Sequence, residues 1–150
     1  MKMSIRRPRV LEVVLTLIVL CLGSTPAAQA EKFSVTTGDF IINCTSTGQI
    51  CDPPETLTIG DPTKKMKVRK FVYDAPAAHC SSGRILIELD GQQVARMRFV
   101  AQREQARKRK RLRLAPGLHT LAFRFEGRVG GCNVGSVSSW GGQITVRGRR

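Results

Sequence analysis

The sequence predicts an all-β protein, folded as an antiparallel β-sandwich. Beyond residue 30, short segments alternate apolar and polar residues, which is the two-residue period of a half-buried strand. Turn sequences rich in Gly, Pro and Asp separate these segments about every 8–12 residues, as in sandwiches of short strands. In the same region no long segment combines a 3.6-residue apolar period with helix-capping residues.

The first thirty residues have the organisation of a secretory signal peptide. Four basic residues lie between positions 2 and 9, residues 13–22 are almost entirely apolar, and Ala28-Gln29-Ala30 is a small-x-small cleavage site. The apolar run has about 10 residues, against the ~20 that span a bilayer, so an uncleaved anchor is the weaker alternative. Lipid attachment at Cys21 is also disfavoured, because Leu20 rather than a small residue precedes it. We expect a secreted or periplasmic protein that begins near Glu31.

The predicted organisation is a signal peptide at 1–30, a β-sandwich domain at 31–146 and a basic C-terminal tail at 147–150. The chain has a formal net charge of +14, and removing the four basic residues and one acidic residue of the leader leaves +11. So basic a domain is attracted to anionic surfaces such as lipid headgroups, acidic polysaccharide or nucleic acid. Net charge does not distinguish among them.

Four cysteines follow the leader, an even number in a compartment that permits disulfides. We favour the pairs Cys44–Cys51 and Cys80–Cys132 among the three possible pairings. The second pair would close a 53-residue loop, worth about 4 kcal/mol in the chain-entropy model. A metal site is the disfavoured alternative, because there is no C-x2-C pair and only His79 lies beside a cysteine.

The strands before residue 80 are predicted from alternation and from the turns that end them. Thr37-Gly38-Asp39, Gly60-Asp61-Pro62 and Asp74-Ala75-Pro76 are the turn sequences. The predicted strands are centred on residues 33–35, 40–42, 57–59 and 66–73.

A hairpin is predicted next, because residues 85–89 and 95–99 both alternate and Asp90-Gly91 is a turn signal. A two-residue turn would pair Ile87 with Val94, whereas a three-residue loop with Gly91 in a bulge would pair Ile85 with Ala95. We prefer the second register because it puts both apolar sets on one face.

Later strands are predicted at residues 112–114, 121–125 and 144–146, with Ala115-Pro116-Gly117 as a turn and a glycine-rich segment at 127–142. Residues 102–110 have some helical propensity but no apolar residues to attach a helix to a core. We interpret this segment as an exposed crossover between strands.

The segment from Ile85 to Glu126 reads ILIELDGQQVARMRFV, then a basic insert, then LRLAPGLHTLAFRFEG. It resembles bacterial immunoglobulin-like sandwich modules of the cell-adhesion-related (CARDB-like) kind. The resemblance implies an immunoglobulin-like sandwich that acts as a spacer, adhesion unit or partner-binding domain, with no family catalytic residues. Related sandwich modules that bind carbohydrate have similar strands, so sugar binding stays open.

The basic stretch from Arg96 to Arg113 is the candidate binding site. Each arginine can fork two donors onto phosphate, sulfate or carboxylate, although a solvated loop kept polar for solubility is the competing interpretation. Nucleic acid is disfavoured because only Phe99 lies nearby for stacking. The candidate anion-binding residues are Arg96, Arg98, Arg103, Arg107, Lys108, Arg109, Lys110, Arg111 and Arg113.

Trp140 is the candidate residue for an alternative function. It lies among serines and glycines, where a flat exposed ring could stack on a sugar and make the protein a carbohydrate-binding module. A tryptophan in such a domain more often fills the core or covers a disulfide.

No enzymatic activity, cofactor or metal is expected. For hydrolysis His79, Ser81 or Ser82, and Asp90 would have to converge, and no motif brings them together. Glu88, Asp90 and Glu126 are the carboxylates available for glycoside cleavage, and no cleft is indicated; His119 is expected to support a turn. The sequence therefore predicts a non-enzymatic binding or structural domain whose partner is an anionic envelope polymer, a membrane surface or a protein.

Overall fold

The computed structural model describes residues 30–44, 51–75, 81–127 and 139–150, and these residues form nine β-strands and no helix. The prediction of an all-β fold made of antiparallel sheets is confirmed. The strands are β1 (Lys32–Thr36), β2 (Phe40–Cys44), β3 (Cys51–Asp61), β4 (Met66–Asp74), β5 (Gly83–Leu89), β6 (Gln92–Phe99), β7 (Gln105–Leu114), β8 (Gly117–Glu126) and β9 (Ser139–Arg149).

The strands form two antiparallel sheets. Sheet 1 has the order β6-β5-β8-β3-β2-β9, and sheet 2 has the order β1-β9-β4-β7. The strand β9 belongs to both: residues 139–142 pair with β2, and residues 143–149 pair with β4. Residues 107–113 of the basic stretch therefore lie in β7, which among the described strands pairs only with β4, at the edge of sheet 2.

Gly142 marks the point where β9 passes from one sheet to the other. It is the last residue of β9 paired with β2, and the next residue, Gln143, pairs with Asp74 of β4. The φ of Gly142 is +130°, and a Cβ there would lie 2.2 Å from the carbonyl oxygen of Asp74. Only glycine fits this backbone without strain.

The inward faces of the two sheets enclose an aromatic core. The ring of Phe71 in sheet 2 meets Phe123 in sheet 1 edge-on, with centroids 6.3 Å apart, and Tyr73 meets Phe125 at 5.4 Å. Tyr73 is fully buried, and its hydroxyl donates a hydrogen bond to the carbonyl of Gly141 at 2.7 Å. Burial raises the pKa of this hydroxyl far above its ordinary value. The opposite face of each sheet is mostly exposed to solvent, although Val72 and Thr145 on that face of sheet 2 are buried.

The predicted register of the β5–β6 hairpin was wrong. Asp90 and Gly91 both have positive φ and form a two-residue turn, so that Leu89 pairs with Gln92. A bulge at Val94 then shifts the register, and Ile85 pairs with Met97 rather than Ala95. The bulge moves the apolar residues of β6 onto the core face. The three-residue loop was predicted for the same reason, to put the apolar residues of both strands on one face.

Two predicted irregular segments are strands instead. Of the proposed crossover at 102–110, only residues 102–104 connect strands, because β7 begins at Gln105. Residues 147–149, expected in a C-terminal tail, belong to β9. In both places most outward residues are arginine or lysine, and on β7 the inward position at Lys108 is basic as well, so the sequence looks like a charge run.

The cysteine pairings remain predictions. Backbone register places Cys44 directly opposite Cys51, and Cys51 is buried and disulfide-bonded. No complete disulfide, with both cysteines, lies within the part of the chain whose side chains are described. Cys80, Cys132 and residues 1–29 of the predicted signal peptide lie outside the described residues.

Candidate anion-binding face

The outward face of sheet 2 carries basic residues in register across four strands. Lys32 of β1 lies opposite Arg149 of β9, Arg149 lies opposite Lys67 of β4, and Lys67 lies opposite Arg113 of β7. Residues directly opposite one another project from the same side of a sheet, with Cβ atoms about 5 Å apart. Four cations therefore form one row across the whole sheet.

The neighbouring rows continue the pattern. Arg147 of β9 lies opposite Lys70 of β4, and Lys70 lies opposite Arg109 of β7. One step further along β7, Arg107 lies opposite Val72. We call this surface the basic face. Its cations are Lys32, Lys67, Lys70, Arg107, Arg109, Arg113, Arg147 and Arg149.

Alternation in each strand turns these residues outward. On β9 the inward residues Ile144 and Val146 are fully buried, and the outward residues Arg147 and Arg149, further along the strand, are exposed. On β7 the buried Leu112 and Leu114 flank exposed Arg113. The buried residues anchor each strand on the core, and the outward positions are left free to interact with solvent or a ligand.

The basic face has almost no acidic residues. Among the described residues, Asp74, at one end of β4, is its one carboxylate, and it already accepts a hydrogen bond from the Gln105 amide. Partial desolvation lowers the pKa of Lys70, and the nearby charges of Arg107, Arg147 and Arg109 lower it further. Such crowding of like charge favours any anion that binds here.

A break in the sheet interrupts the basic face. Between the pairs Val68–Leu112 and Lys70–Arg109, Arg69 of β4 faces two residues of β7, Lys110 and Arg111. This β-bulge borders a solvent-open cavity of about 560 Å³ lined by Arg69, Lys70, Arg109, Lys110 and Arg111.

The outward face of sheet 1 is different, because carboxylates are interleaved with its arginines. Arg84 of β5 lies opposite Glu126 of β8 on one side and Arg98 of β6 on the other. The Nε atom of Arg124 donates to Glu88 at 3.0 Å. We call this surface the mixed face.

The predicted anion-binding residues therefore divide between two opposite surfaces. Arg96 and Arg98 project from the mixed face, and Arg103 lies in the connection between the sheets. Arg107, Arg109 and Arg113 belong to the basic face, Lys110 and Arg111 to the bulge, and half-buried Lys108 lies opposite core residue Phe71. The structure does not bring the stretch together as one site.

Sequence reasoning missed the other half of the basic face. Lys32, Lys67, Lys70, Arg147 and Arg149 come from three other strands that only the sheet topology places beside β7. The available signal was the repeated arginine-x-arginine pattern at residues 107–109, 111–113 and 147–149. Such a pattern indicates one basic side of a strand.

His119 links two turns. Its Nδ1 lies 2.7 Å from Asp90 Oδ2, and its Nε2 lies 3.2 Å from the carbonyl oxygen of Ala115. Both partners are acceptors, so only the doubly protonated imidazolium donates to both. The hydrogen bond to Asp90 raises the pKa of His119 and lowers that of Asp90. This geometry fits the turn-supporting role expected for His119.

The other candidate residues show no catalytic arrangement among the described side chains. Asp90 also accepts from the Thr120 amide at 2.9 Å, and Ser82 Oγ accepts from the Ala101 amide at 3.0 Å. His79 and the side chain of Trp140 lie outside the described part of the chain, so the sugar-stacking interpretation stays a prediction.

No protein-family model matches this chain, and no curated protein matches it. In the described residues, His, Cys, Asp and Glu form no group that could hold a metal ion. The described part of the chain also contains no helix with the length and apolar character needed to cross a membrane.

Proposed function

We propose that this protein is a secreted or periplasmic, non-enzymatic binding protein that holds an anionic polymer on its basic face. The observation that supports this function is the register itself. Eight cations from four strands project from one side of sheet 2, and Asp74 is the one carboxylate beside them among the described residues. A surface serving solubility alone has no need to segregate charge in this way.

The shape of the surface favours a flexible polymer over a flat membrane. Adjacent strands in a sheet are rotated by about 20–25°, so the direction of the cation rows turns considerably between β1 and β7. A rigid plane contacts only part of such a surface, whereas an extended chain can follow the twist and neutralise cations in every row.

The residue types favour sulfate, phosphate or carboxylate groups along that polymer. Five of the eight cations are arginines, namely Arg107, Arg109, Arg113, Arg147 and Arg149. The planar guanidinium offers paired donors that match the oxygens of these groups, and it stays charged at all relevant pH values.

The leader, the disulfides and the immunoglobulin-like module belong to the same proposal. The strand β1 begins at Lys32, close to the cleavage site expected after Ala30. An oxidised, exported domain of this kind would meet acidic polymers of the cell envelope or its surroundings.

The test compares two variants with the same loss of charge. One variant, R113S/R147S/R149S, removes three arginines from the basic face, and the other, R84S/R96S/R98S, removes three from the mixed face. All six side chains are exposed. Both proteins are applied to a column of heparin, a sulfated polysaccharide, and eluted with a salt gradient. We expect a large shift to lower salt for the basic-face variant and a small one for the mixed-face variant.

Equal shifts would contradict the proposal, because net charge alone would then explain retention. Binding to vesicles that contain phosphatidylglycerol, with no retention on the polysaccharide, would also contradict it and would assign the face to membranes. The far-ultraviolet circular dichroism of each variant establishes that the sheets are intact.

A further inference from the structure

Two irregularities in the sheet coincide beside the basic face. On the side of β4 that pairs with β7, Arg69 faces two residues, Lys110 and Arg111. On the side that pairs with β9, Arg69 is itself the extra residue, because Val68 and Lys70 pair with the consecutive residues Gly148 and Arg147. A bulge bends a strand, increases its twist and redirects side chains, and bulges are frequent beside binding sites. Here both bulges occur at the same level of the sheet.

The cavity at this level is lined only by cations: Arg69, Lys70, Arg109, Lys110 and Arg111. Its volume of about 560 Å³ is within the range of small-molecule sites, roughly 300–1,000 Å³. Ordinary sites of that size are mostly apolar, with a few polar groups. A lining without apolar side chains points to a compact ligand with many charged oxygens.

The electrostatics make a single negative charge a poor match. Five positive groups surround the cavity, and the nearest carboxylate on the same strand, Asp74, lies beyond Tyr73 and accepts from Gln105. Desolvation, and after it repulsion from neighbouring arginines, lowers the pKa of Lys70. Two or more negative charges close together would offset this repulsion better than one sulfate ester or one carboxylate.

We propose that the bulge cavity is a distinct subsite for a compact phosphate group with at least two negative charges, such as a diphosphate or a terminal phosphomonoester. This inference rests on the proposed function, since it gives the basic face one position that selects a phosphate-rich group. The open rows bind a repeating polymer through many equal contacts, and the cavity binds one group at a defined place.

The test uses inorganic pyrophosphate as the probe, titrated into the purified protein in an isothermal calorimeter at about 0.15 M salt, where charges farther apart than ~8 Å are largely screened. We expect saturable binding with one site per chain. The cavity variant R69S/K110S/R111S should bind about tenfold or more weakly, given the modest value of each exposed ion pair. The matched mixed-face variant R84S/R96S/R98S, which loses the same charge, should bind within about twofold of wild type, because its residues project from sheet 1 and none lines the cavity.

Equal weakening in both variants, or no saturable binding of pyrophosphate to the wild type, would overturn the subsite. The heparin column distinguishes this failure from a failure of the proposed function. Retention on heparin without pyrophosphate binding removes only the subsite, and pyrophosphate binding without retention removes only the polymer proposal.

A second titration identifies the source of the phosphate. Vesicles that contain phosphatidic acid present a phosphomonoester on a lipid. Binding to them that depends on Arg69, Lys110 and Arg111 would assign the subsite to a lipid headgroup. Binding of pyrophosphate alone would assign it to a soluble or polymer-linked phosphate.

Discussion

The two outward faces of this protein are built from the same kind of alternating strand, but they arrange charge in opposite ways. On the mixed face Arg84 lies opposite Glu126, and Arg124 donates to Glu88. On the basic face Lys67 lies between Arg113 and Arg149, with a cation on each side. Like charges directly opposite one another destabilise a sheet, and unlike charges stabilise it.

This difference suggests what each face is for. The mixed face follows the pattern that favours stability, whereas the basic face keeps a repulsion that an external anion would relieve. On the basic face alone, the same repulsion lowers the stability of the sheet and favours anion binding. Variants that change this repulsion should therefore change the two properties in opposite directions.

The largest effect is expected at the residue on which both faces depend. Gly142 lets β9 leave sheet 1 and enter sheet 2, and a Cβ there would collide with the Asp74 carbonyl. Gly142→Ala should lower the free energy of unfolding by about 3 kcal/mol, measured by urea denaturation. Gly38→Ala is the control, because a Cβ at Gly38 has nothing within 4 Å. Similar losses in both variants would contradict this role of Gly142.

Reversing one charge should have opposite effects on the two faces. Lys67→Glu puts a carboxylate between Arg113 and Arg149, so the free energy of unfolding should rise by about 1 kcal/mol. The same change should lower the salt needed for elution from heparin. On the mixed face, Arg124→Glu removes the ion pair with Glu88 and should destabilise the protein while leaving retention nearly unchanged. A lower free energy of unfolding in Lys67→Glu would show that the cations opposite one another on the basic face do not repel each other.

Salt should reveal the same repulsion without mutation. Raising sodium chloride from about 0.02 to 0.5 M screens exposed charges, so the wild-type free energy of unfolding should rise by about 0.5 kcal/mol. Salt should raise the free energy of unfolding less in the Lys67→Glu variant, because residue 67 then attracts Arg113 and Arg149 instead of repelling them. If salt raised the free energy of unfolding more in Lys67→Glu than in the wild type, repulsion on the basic face would not be the source of the salt effect.

The smallest effect is expected at the end of sheet 1, where His119 meets Asp90. Because the folded-state pKa of His119 is raised, its contribution to stability is present below the ordinary histidine pKa of about 6.5. This contribution is lost as the pH rises through the folded-state pKa. The pKa of Asp90 is lowered, so its contribution is lost only under acidic conditions. The melting-temperature difference between wild type and His119→Asn should be largest near pH 5–6 and shrink by about pH 9. A difference that grows above pH 7 would contradict the ion pair.

Much of the fold could be predicted from the sequence, because alternation and turn residues are local signals. The strands around Phe33, Ile85, Phe123 and Val146 occur where alternation predicts them. The pattern fails where consecutive residues are basic whichever way they face, as at residues 107–111 of β7, and at the arginine-rich end of β9, because these segments then resemble a loop and a tail. The bulge at Val94 was missed because one extra residue changes register without changing the local pattern.

The candidate site could be predicted only in part. A run of arginines on β7 is visible in the sequence, but the cations that complete the basic face lie far away along the chain, at positions such as Lys32, Lys67 and Arg149. Their proximity follows from β9 and β4 lying between β1 and β7. Topology of that kind depends on long-range pairing, which a single sequence does not reveal.

Nuclear magnetic resonance tests the central claim most directly, by mapping a heparin-derived oligosaccharide onto the assigned backbone amides of the protein. We expect chemical-shift changes concentrated in β1, β4, β7 and residues 143–149 of β9, with β5, β6 and β8 little affected. Changes of similar size on both faces, or changes centred on Arg84, Arg96 and Arg98, would contradict it.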